Sequence, residues 1–486
     1  MPDRPNILFV FTDQQRSTAL GCAGVEDVRT PHLDRFAAEG TRFTNAVANT
    51  PSCSPARASL LTGLHALHHG LIVNDLPLRT DVPHVAECLN DAGYRCGYIG
   101  KWHVDGGDRG GFIPPGERRR GFDDFWAVAN CTHNYHAAHY YLNDDPEPYV
   151  HDGYETFSQT DMAVEYITDR TKDDSDQPWC LFLSWGPPHF PYMNAPAEYN
   201  ARYDPASLRL LPNCEPDTPV DYRHVQWGMY DQGATPRDII AGYYAHQTAV
   251  DDAFGRLMTT VDRLGVADDT IVVYTSDHGD LLYSHGDVWK AKPWRESVGV
   301  PLLVRWPGRV PAERMSDAPV GLVDMMPTLL SLAGADVPDG LDGVDFSAVM
   351  AGDESAAPDA QYINYPMLAD DAEPVPGWRG VVTRTHTYCR SRTGPLMLFD
   401  DKADPFQMTN LVDDAAHAGL AAELEAKTQA WLHRTGDALE PVEALRERFI
   451  GPHRDNGGAK QYTGDNARAV ERDPATARKR PPGAGL

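Results

Sequence analysis

Asn6-Ile7-Leu8-Phe9-Val10-Phe11-Thr12-Asp13 decides the fold. An apolar run of this length that stops on a carboxylate is the pattern of a buried strand with a polar residue at its end. Three later runs share that form. Tyr94–Gly100 stops at Lys101-Trp102-His103, Trp179–Trp185 at Gly186-Pro187-Pro188-His189, and Ile271–Thr275 at Ser276-Asp277-His278-Gly279. Between them lie helical spacings, such as Val250, Phe254, Leu257, Met258, Val261 and Leu264. Strands alternating with amphipathic helices predict an α/β domain with a mainly parallel sheet. Ligands of such sheets bind beyond the carboxyl ends of the strands. Asp13, Lys101, His103, His189, Asp277 and His278 therefore collect in one region.

A chain of 486 residues exceeds one compact core. The sequence divides into a large domain over 1–365, a smaller α+β subdomain over 366–451 and a tail over 452–486. Gly380–Tyr388 alternates like antiparallel strands, and Ala421–Leu432 has the pattern of a closing helix. The tail is rich in Gly, Pro and charge, and disorder or ordering against a partner is expected. With 70 acidic against 43 basic residues, the net charge is −27. That field repels nucleic acid and anionic membrane, so neither is an expected partner. An anionic substrate would need positive charge concentrated locally. No run approaches a membrane span, and the N-terminal run lacks a signal-peptide pattern. The eight cysteines show no CxxC pairs, which fits small buried residues in a reducing compartment. A cytoplasmic enzyme is the expectation.

Asn49-Thr50-Pro51-Ser52-Cys53-Ser54-Pro55-Ala56-Arg57-Ala58-Ser59-Leu60-Leu61-Thr62-Gly63 is a loop entering a helix, with Ser54 as expected N-cap and Pro55 at the first helical position. Cys53 at the positive helix end, with Arg57 one turn in, is a setting that stabilises an anion. A cysteine near a capped helix is more often a packed side chain. Here Cys-x-Pro-x-Arg followed by Leu-Thr-Gly, behind an Asp-bearing first strand, resembles the signature of the formylglycine-dependent sulfatases, of the alkaline-phosphatase-like superfamily. The resemblance covers most of the first 365 residues. Leu398-Phe399-Asp400, Asp404-Pro405-Phe406 and Asn410-Leu411 resemble a segment near sulfatase C-termini.

That resemblance implies an alkaline-phosphatase-like sheet between helices and oxidation of Cys53 to formylglycine by a formylglycine-generating enzyme. In such a mechanism one hydroxyl of the hydrated aldehyde attacks sulfur and releases the alcohol. Deprotonating the other expels sulfate and restores the aldehyde. By the same resemblance Asp13, Gln14, Cys53, Asp277 and His278 bind a divalent cation. An oxygen-rich set suits Ca²⁺ first, with Mg²⁺ or Mn²⁺ as alternatives. Gly100-Lys101-Trp102-His103 gives Lys101 as a sulfate ligand and His103 as a base for the elimination. Pro187-Pro188-His189-Phe190-Pro191-Tyr192 gives His189 beside the leaving group. Lys290 matches the family lysine by its spacing to Val300-Pro301, with Lys292 as competitor, and Asn74 resembles a substrate-contacting asparagine. Arg57, Lys101 and Lys290 would supply the local positive field.

Asp13-Gln14 departs from the two consecutive Asp of many sulfatases and resembles choline sulfatases and phosphonate monoester hydrolases. Three functions follow in order: hydrolysis of a small-molecule or carbohydrate sulfate ester; a phosphodiesterase or phosphonate monoester hydrolase at the same site; a non-catalytic binding protein on the same fold. His65, His68 and His69 are expected to pack and cap locally. The three-residue spacing of His133, His136 and His139 fits a pocket loop better than a zinc site. Arg384 and His386 fit an exposed strand face. Loops 131–153 and 205–235 would read the alcohol.

Overall fold

The computed structural model describes residues 4–173, 177–217, 233–368, 375–453 and 478–480. The first strand, Asn6–Asp13, lies at the centre of an eleven-stranded sheet. Across the sheet the strands run Arg314–Ser316, Thr41–Phe43, Leu302–Arg305, Thr270–Ser276, Asn6–Asp13, Trp179–Pro188, Arg95–Lys101, Phe125–Ala129, His139–Leu142, Tyr149–Val150 and Arg478–Lys479. The five strands from Thr270–Ser276 to Phe125–Ala129 pair in parallel, and antiparallel neighbours flank them on both sides. This is the expected mixed, mainly parallel sheet.

Both faces of the central strands are buried, as parallel strands require. Ile7, Phe9 and Phe11 face one core with Tyr98, Trp126 and Phe182, under helices Cys53–Thr62, Val85–Asp91 and Met325–Leu332. Leu8 and Val10 face the other with Leu181, Leu183 and Tyr274, under helices Pro31–Ala38, Glu155–Lys172 and Pro236–Arg263. Phe9 stacks on Phe182 at 4.7 Å between ring centroids. Truncating such a ring to alanine costs about 3–5 kcal/mol, because transfer energy and a residual cavity add. The helix Pro236–Arg263 starts at a capping box of Thr235 and Asp238, with proline at its first turn.

A separate four-stranded antiparallel sheet runs Ala360–Tyr365, Trp378–Thr383, His386–Ser391 and Pro395–Asp400. Its first strand precedes the division expected at residue 366. Helix Ala418–Arg434 covers one face through Leu424 against Val381, Tyr388 and Leu398. The other face packs Ile363, Trp378, Val382 and Cys389 on Val47, Leu281, Trp294 and Val298 of the large domain. Most of the expected tail 452–486, and residues 218–232 of the loop 205–235, lie outside the described residues. Arg478–Lys479 pairs in parallel with Tyr149–Val150. No helix among the described residues is long and apolar enough to cross a membrane.

Candidate active site

Strand register brings the first groups together. Thr12 pairs with Ser276, so Asp13 and Asp277 each stand one residue beyond the same rung. The Asp277 N–H donates to the Thr12 carbonyl (3.1 Å), and the Gln14 N–H donates to Asp277 Oδ1 (3.1 Å). On the other side Phe11 and Gly100 both pair with Ser184, which sets Lys101 level with the end of the first strand. Its ammonium donates to Asp13 Oδ2. Gly100 has φ +101, and a Cβ there would lie 2.0 Å from the Ser184 carbonyl oxygen. Only glycine lets the chain approach that closely.

Helix Cys53–Thr62 points its N-terminus at these strand ends. The helix begins earlier than the sequence predicts. Ser52 occupies the N-cap and Cys53 the first helical position. The Ser52 side chain does not cap the helix; Asn74 does so from a distance. Its Oδ1 accepts from the Ser54 N–H and the Ser52 hydroxyl, both at 3.0 Å. Arg57 lies behind Cys53, fully buried. Its Nε donates to Asp277 Oδ2 (2.9 Å), and its Nη1 donates to the Lys101 carbonyl (2.6 Å) and the Ser184 hydroxyl (2.8 Å). Its Nη2 lies 3.6 Å from Asp13 Oδ2.

One ligand atom from each of Asp13, Cys53, Asp277 and His278 falls within 4.8 Å of the others, all buried. His278 Nδ1 lies 2.9 Å from the Gly279 carbonyl, which can only accept, so Nδ1 carries the proton. Nε2 then presents its lone pair 3.2 Å from Cys53 Sγ and 3.5 Å from Asp13 and Asp277. A bare imidazole nitrogen between two carboxylates is a donor set that fits a divalent cation.

Gln14 joins this set by orientation. Its Nε2 donates to Asp280 Oδ2 (2.6 Å) and lies 3.0 Å from the Tyr192 hydroxyl. That leaves Oε1 toward Lys290 Nζ, 3.0 Å away. Asp280 is held by the Tyr192 hydroxyl and the Leu282 and Trp289 N–H groups. Lys290 Nζ also lies 3.0 Å from Cys53 Sγ, whereas Lys292 pairs with Asp287. Trp289 and Ala291, on either side of Lys290, have φ +68 and +71. The Ala291 N–H bonds the Pro51 carbonyl, and its carbonyl accepts from the Trp378 indole (both 3.0 Å). The smaller subdomain thus fixes the lysine loop.

These charges set the field at the nucleophile. Burial would push the Cys53 thiol up, but the ammonium groups of Lys101 and Lys290, joined by His278 whenever its ring is protonated, outweigh it and hold the pKa well below the ordinary range. Burial and Cys53 also act to raise Asp13, and Lys101, His189 and Lys290 outweigh them, so it stays ionised. Burial and the neighbouring Asp13 push Asp277 up. Position 53 therefore favours negative charge on whatever atom stands there.

His189 stacks on His133 at 4.2 Å between centroids, with the ring planes nearly parallel. Its Nδ1 lies 2.8 Å from the Phe190 carbonyl, and burial pulls its pKa down to about 4. The neutral ring carries its proton on Nδ1, so donation to a leaving group through Nε2 requires a second proton. His103 Nε2 lies 3.1 Å from Asp75 Oδ1. Of the other histidines in that loop, His136 meets the Asn194 carbonyl and His139 packs on Tyr141, so the three do not converge. His65 packs between Tyr362 and Trp431, His68 pairs with Asp342, and His69 meets Ser59. Arg384 pairs with Asp317 and Glu354, away from Cys53. Sequence reading missed Asp75, Arg109, Asp280 and Cys131. The buried Cys131 thiol lies 3.6 Å from His133 Nε2.

A sulfatase family model matches residues 5–335, and the model for the C-terminal part of N-sulphoglucosamine sulphohydrolase matches residues 284–433. An ulvan-active sulfatase of Formosa agariphila is 39% identical over 453 residues, with 92% of this chain and 85% of that protein covered. An endo-4-O-sulfatase of Bacteroides thetaiotaomicron is 29% identical, with 84% and 88% covered. A solved structure of a Bacteroides thetaiotaomicron protein, described in the metabolism of multiple glycosaminoglycans, superposes with a TM-score of 0.78. It is 26% identical, with 92% of this chain and 99% of that chain covered.

Proposed function

The chain belongs to the sulfatase family and is a sulfuric ester hydrolase, and from that premise we propose that it desulfates carbohydrates with formylglycine made from Cys53 beside a divalent cation. The observation that carries this reading is the convergence of Asp13, Asp277, His278, Lys101 and Lys290 on the side chain of residue 53. The two carboxylates, His278 Nε2 and Gln14 Oε1 would hold the cation. Hard oxygen donors favour Ca²⁺, with Mg²⁺ or Mn²⁺ as alternatives. Once bound, it supplies positive charge to a sulfate oxygen and lowers the pKa of the nucleophile. The hydrated aldehyde supplies one hydroxyl to attack sulfur and a second whose deprotonation frees the product.

The chain's own groups do the rest. Lys290 and Lys101 stand where negative charge grows on the sulfuryl group and stabilise it without reorganising. Arg57 fixes Asp277 from behind and keeps the two strand ends in one geometry. His189 is neutral when the site is empty of substrate and must first take up a second proton from solvent, favoured by Asp13 and the negative substrate, before it can pass one to the leaving oxygen. His103 is placed to remove one from the nucleophile. The carbohydrate preference is supported by the ulvan-active and endo-4-O-sulfatase relatives. Maturation would need a formylglycine-generating enzyme. The eight unpaired cysteines support a reducing, cytoplasmic setting.

One observation favours a second reading. Gln14 places a neutral carboxamide at the second position of the Asp13-Gln14 pair that resembles choline sulfatases and phosphonate monoester hydrolases, with Asp280 held behind it. Such a site would admit a phosphate diester or phosphonate monoester. Specificity constants for sulfated oligosaccharides, an aryl sulfate and a phosphate diester decide between them. Dominant sulfate release from the oligosaccharide supports the proposal, and dominant diester cleavage overturns it.

A further inference from the structure

Asp75 has no part in the ligand cluster, yet it is almost wholly buried and carries a specific set of partners. Its Oδ1 lies 3.1 Å from His103 Nε2. Arg109 grips both oxygens, Nε to Oδ1 at 2.9 Å and Nη2 to Oδ2 at 2.7 Å. A carboxylate can only accept, so His103 Nε2 must carry a proton. The other ring nitrogen, Nδ1, is buried and makes no hydrogen bond of good geometry. Cys53 and Cys131 both stand near enough to this ring to interact with it electrostatically. Backbone geometry supports a positional demand. Asp75 and His103 both hold left-handed conformations, with φ +65 and +60. Left-handed backbone is uncommon outside glycine, and Asp and His are among the few residue types that adopt it.

We propose that Asp75, clamped by Arg109, is the positioning residue of His103: it fixes the proton on Nε2 and turns Nδ1 toward the nucleophile at position 53. The arrangement rests on the proposed sulfatase reading and deepens it, because it assigns His103 a defined face. The order is Arg109, Asp75, His103, nucleophile, each joined to the next by a direct contact or by ring orientation. Asp75 stands outside the Asp13, Cys53, Asp277 and His278 cluster, and its influence is assigned to its contact with His103. Asn74, its neighbour in sequence, performs a different task as the cap of the nucleophile helix.

A double-mutant cycle on the matured, metal-loaded enzyme tests this. Asp75→Asn keeps the shape and lets an amide face His103, which no longer enforces the Nε2 proton. In the wild-type background kcat for a sulfate ester is expected to fall on the order of 100-fold, with KM within about 3-fold. In a His103→Ala background the same substitution is expected to change the residual kcat by less than about 3-fold. Equal losses in both backgrounds, or an unaltered kcat in Asp75→Asn, overturn the assignment. Where Asp75→Asn fails to fold, as judged by its melting temperature, Arg109→Gln carries the cycle, with a loss of about 10-fold that vanishes without His103. Additive losses there overturn it equally. A wild-type enzyme that releases no sulfate would instead sink the functional reading, and that outcome is distinct from an additive cycle in an active enzyme.

Discussion

On one side of Cys53 the functional groups sit at strand ends; on the other they sit in loops. Asp13, Lys101 and Asp277 occupy positions dictated by the register of paired strands. Asp75, His103 and Lys290 owe their places to residues in or beside left-handed backbone and to hydrogen bonds between distant segments. The two sides differ in what holds them. A strand end is fixed by the whole core beneath it, whereas each loop residue depends on a few named contacts. Substitutions on the strand side should therefore couple activity to global stability. On the loop side they should separate the two.

The largest expected effect is at the strand side. Arg57→Met leaves Asp277 buried without its guanidinium partner, and breaking such a pair costs about 3–5 kcal/mol. Thermal unfolding of the variant should show a large drop together with lost activity. Unchanged stability would mean that the two sides are held alike. Metal dependence comes next. A saturating divalent cation, at about 100 times its Kd, should stabilise the folded chain by about 2.7 kcal/mol. The gain should vanish in Asp13→Asn, read as a thermal shift with and without chelator. On the loop side, Trp378→Phe removes the indole donor to the Ala291 carbonyl and should cost about 1 kcal/mol. Because it loosens Lys290, kcat/KM should fall several-fold more than that stability change would suggest. The smallest effect is Asn74→Ala, which uncaps the nucleophile helix at a cost of about 1 kcal/mol. A large rise in KM instead would restore the substrate contact that the sequence suggests.

Legibility followed the same division. Every strand-end group was readable, because a short apolar run ending in Asp, Lys or Asp-His announces both the strand and its terminal chemistry. Lys290 is also readable, but only through its spacing to Val300-Pro301, and what separates it from Lys292 is tertiary: Lys290 reaches Cys53 while Lys292 pairs with Asp287. Asp75 was not legible. Nothing local marks an aspartate whose partners lie 28 and 34 residues away. The same holds for Asp280, whose bond to Gln14 spans 266 residues. The start of the nucleophile helix was misplaced because Ser54-Pro55 carries the usual cap signal, while the real cap arrives from Asn74. The histidines at 133, 136 and 139 looked alike in sequence and go to three different surroundings.

Both sets of groups converge on the side chain at position 53, and the chemistry depends on what that side chain becomes. Mass spectrometry of the peptide spanning Cys53, from active protein made in its own host, tests this directly. The peptide is expected to carry an aldehyde or its hydrate in place of the thiol. An intact thiol at Cys53 in protein that hydrolyses sulfate esters would contradict this chemistry.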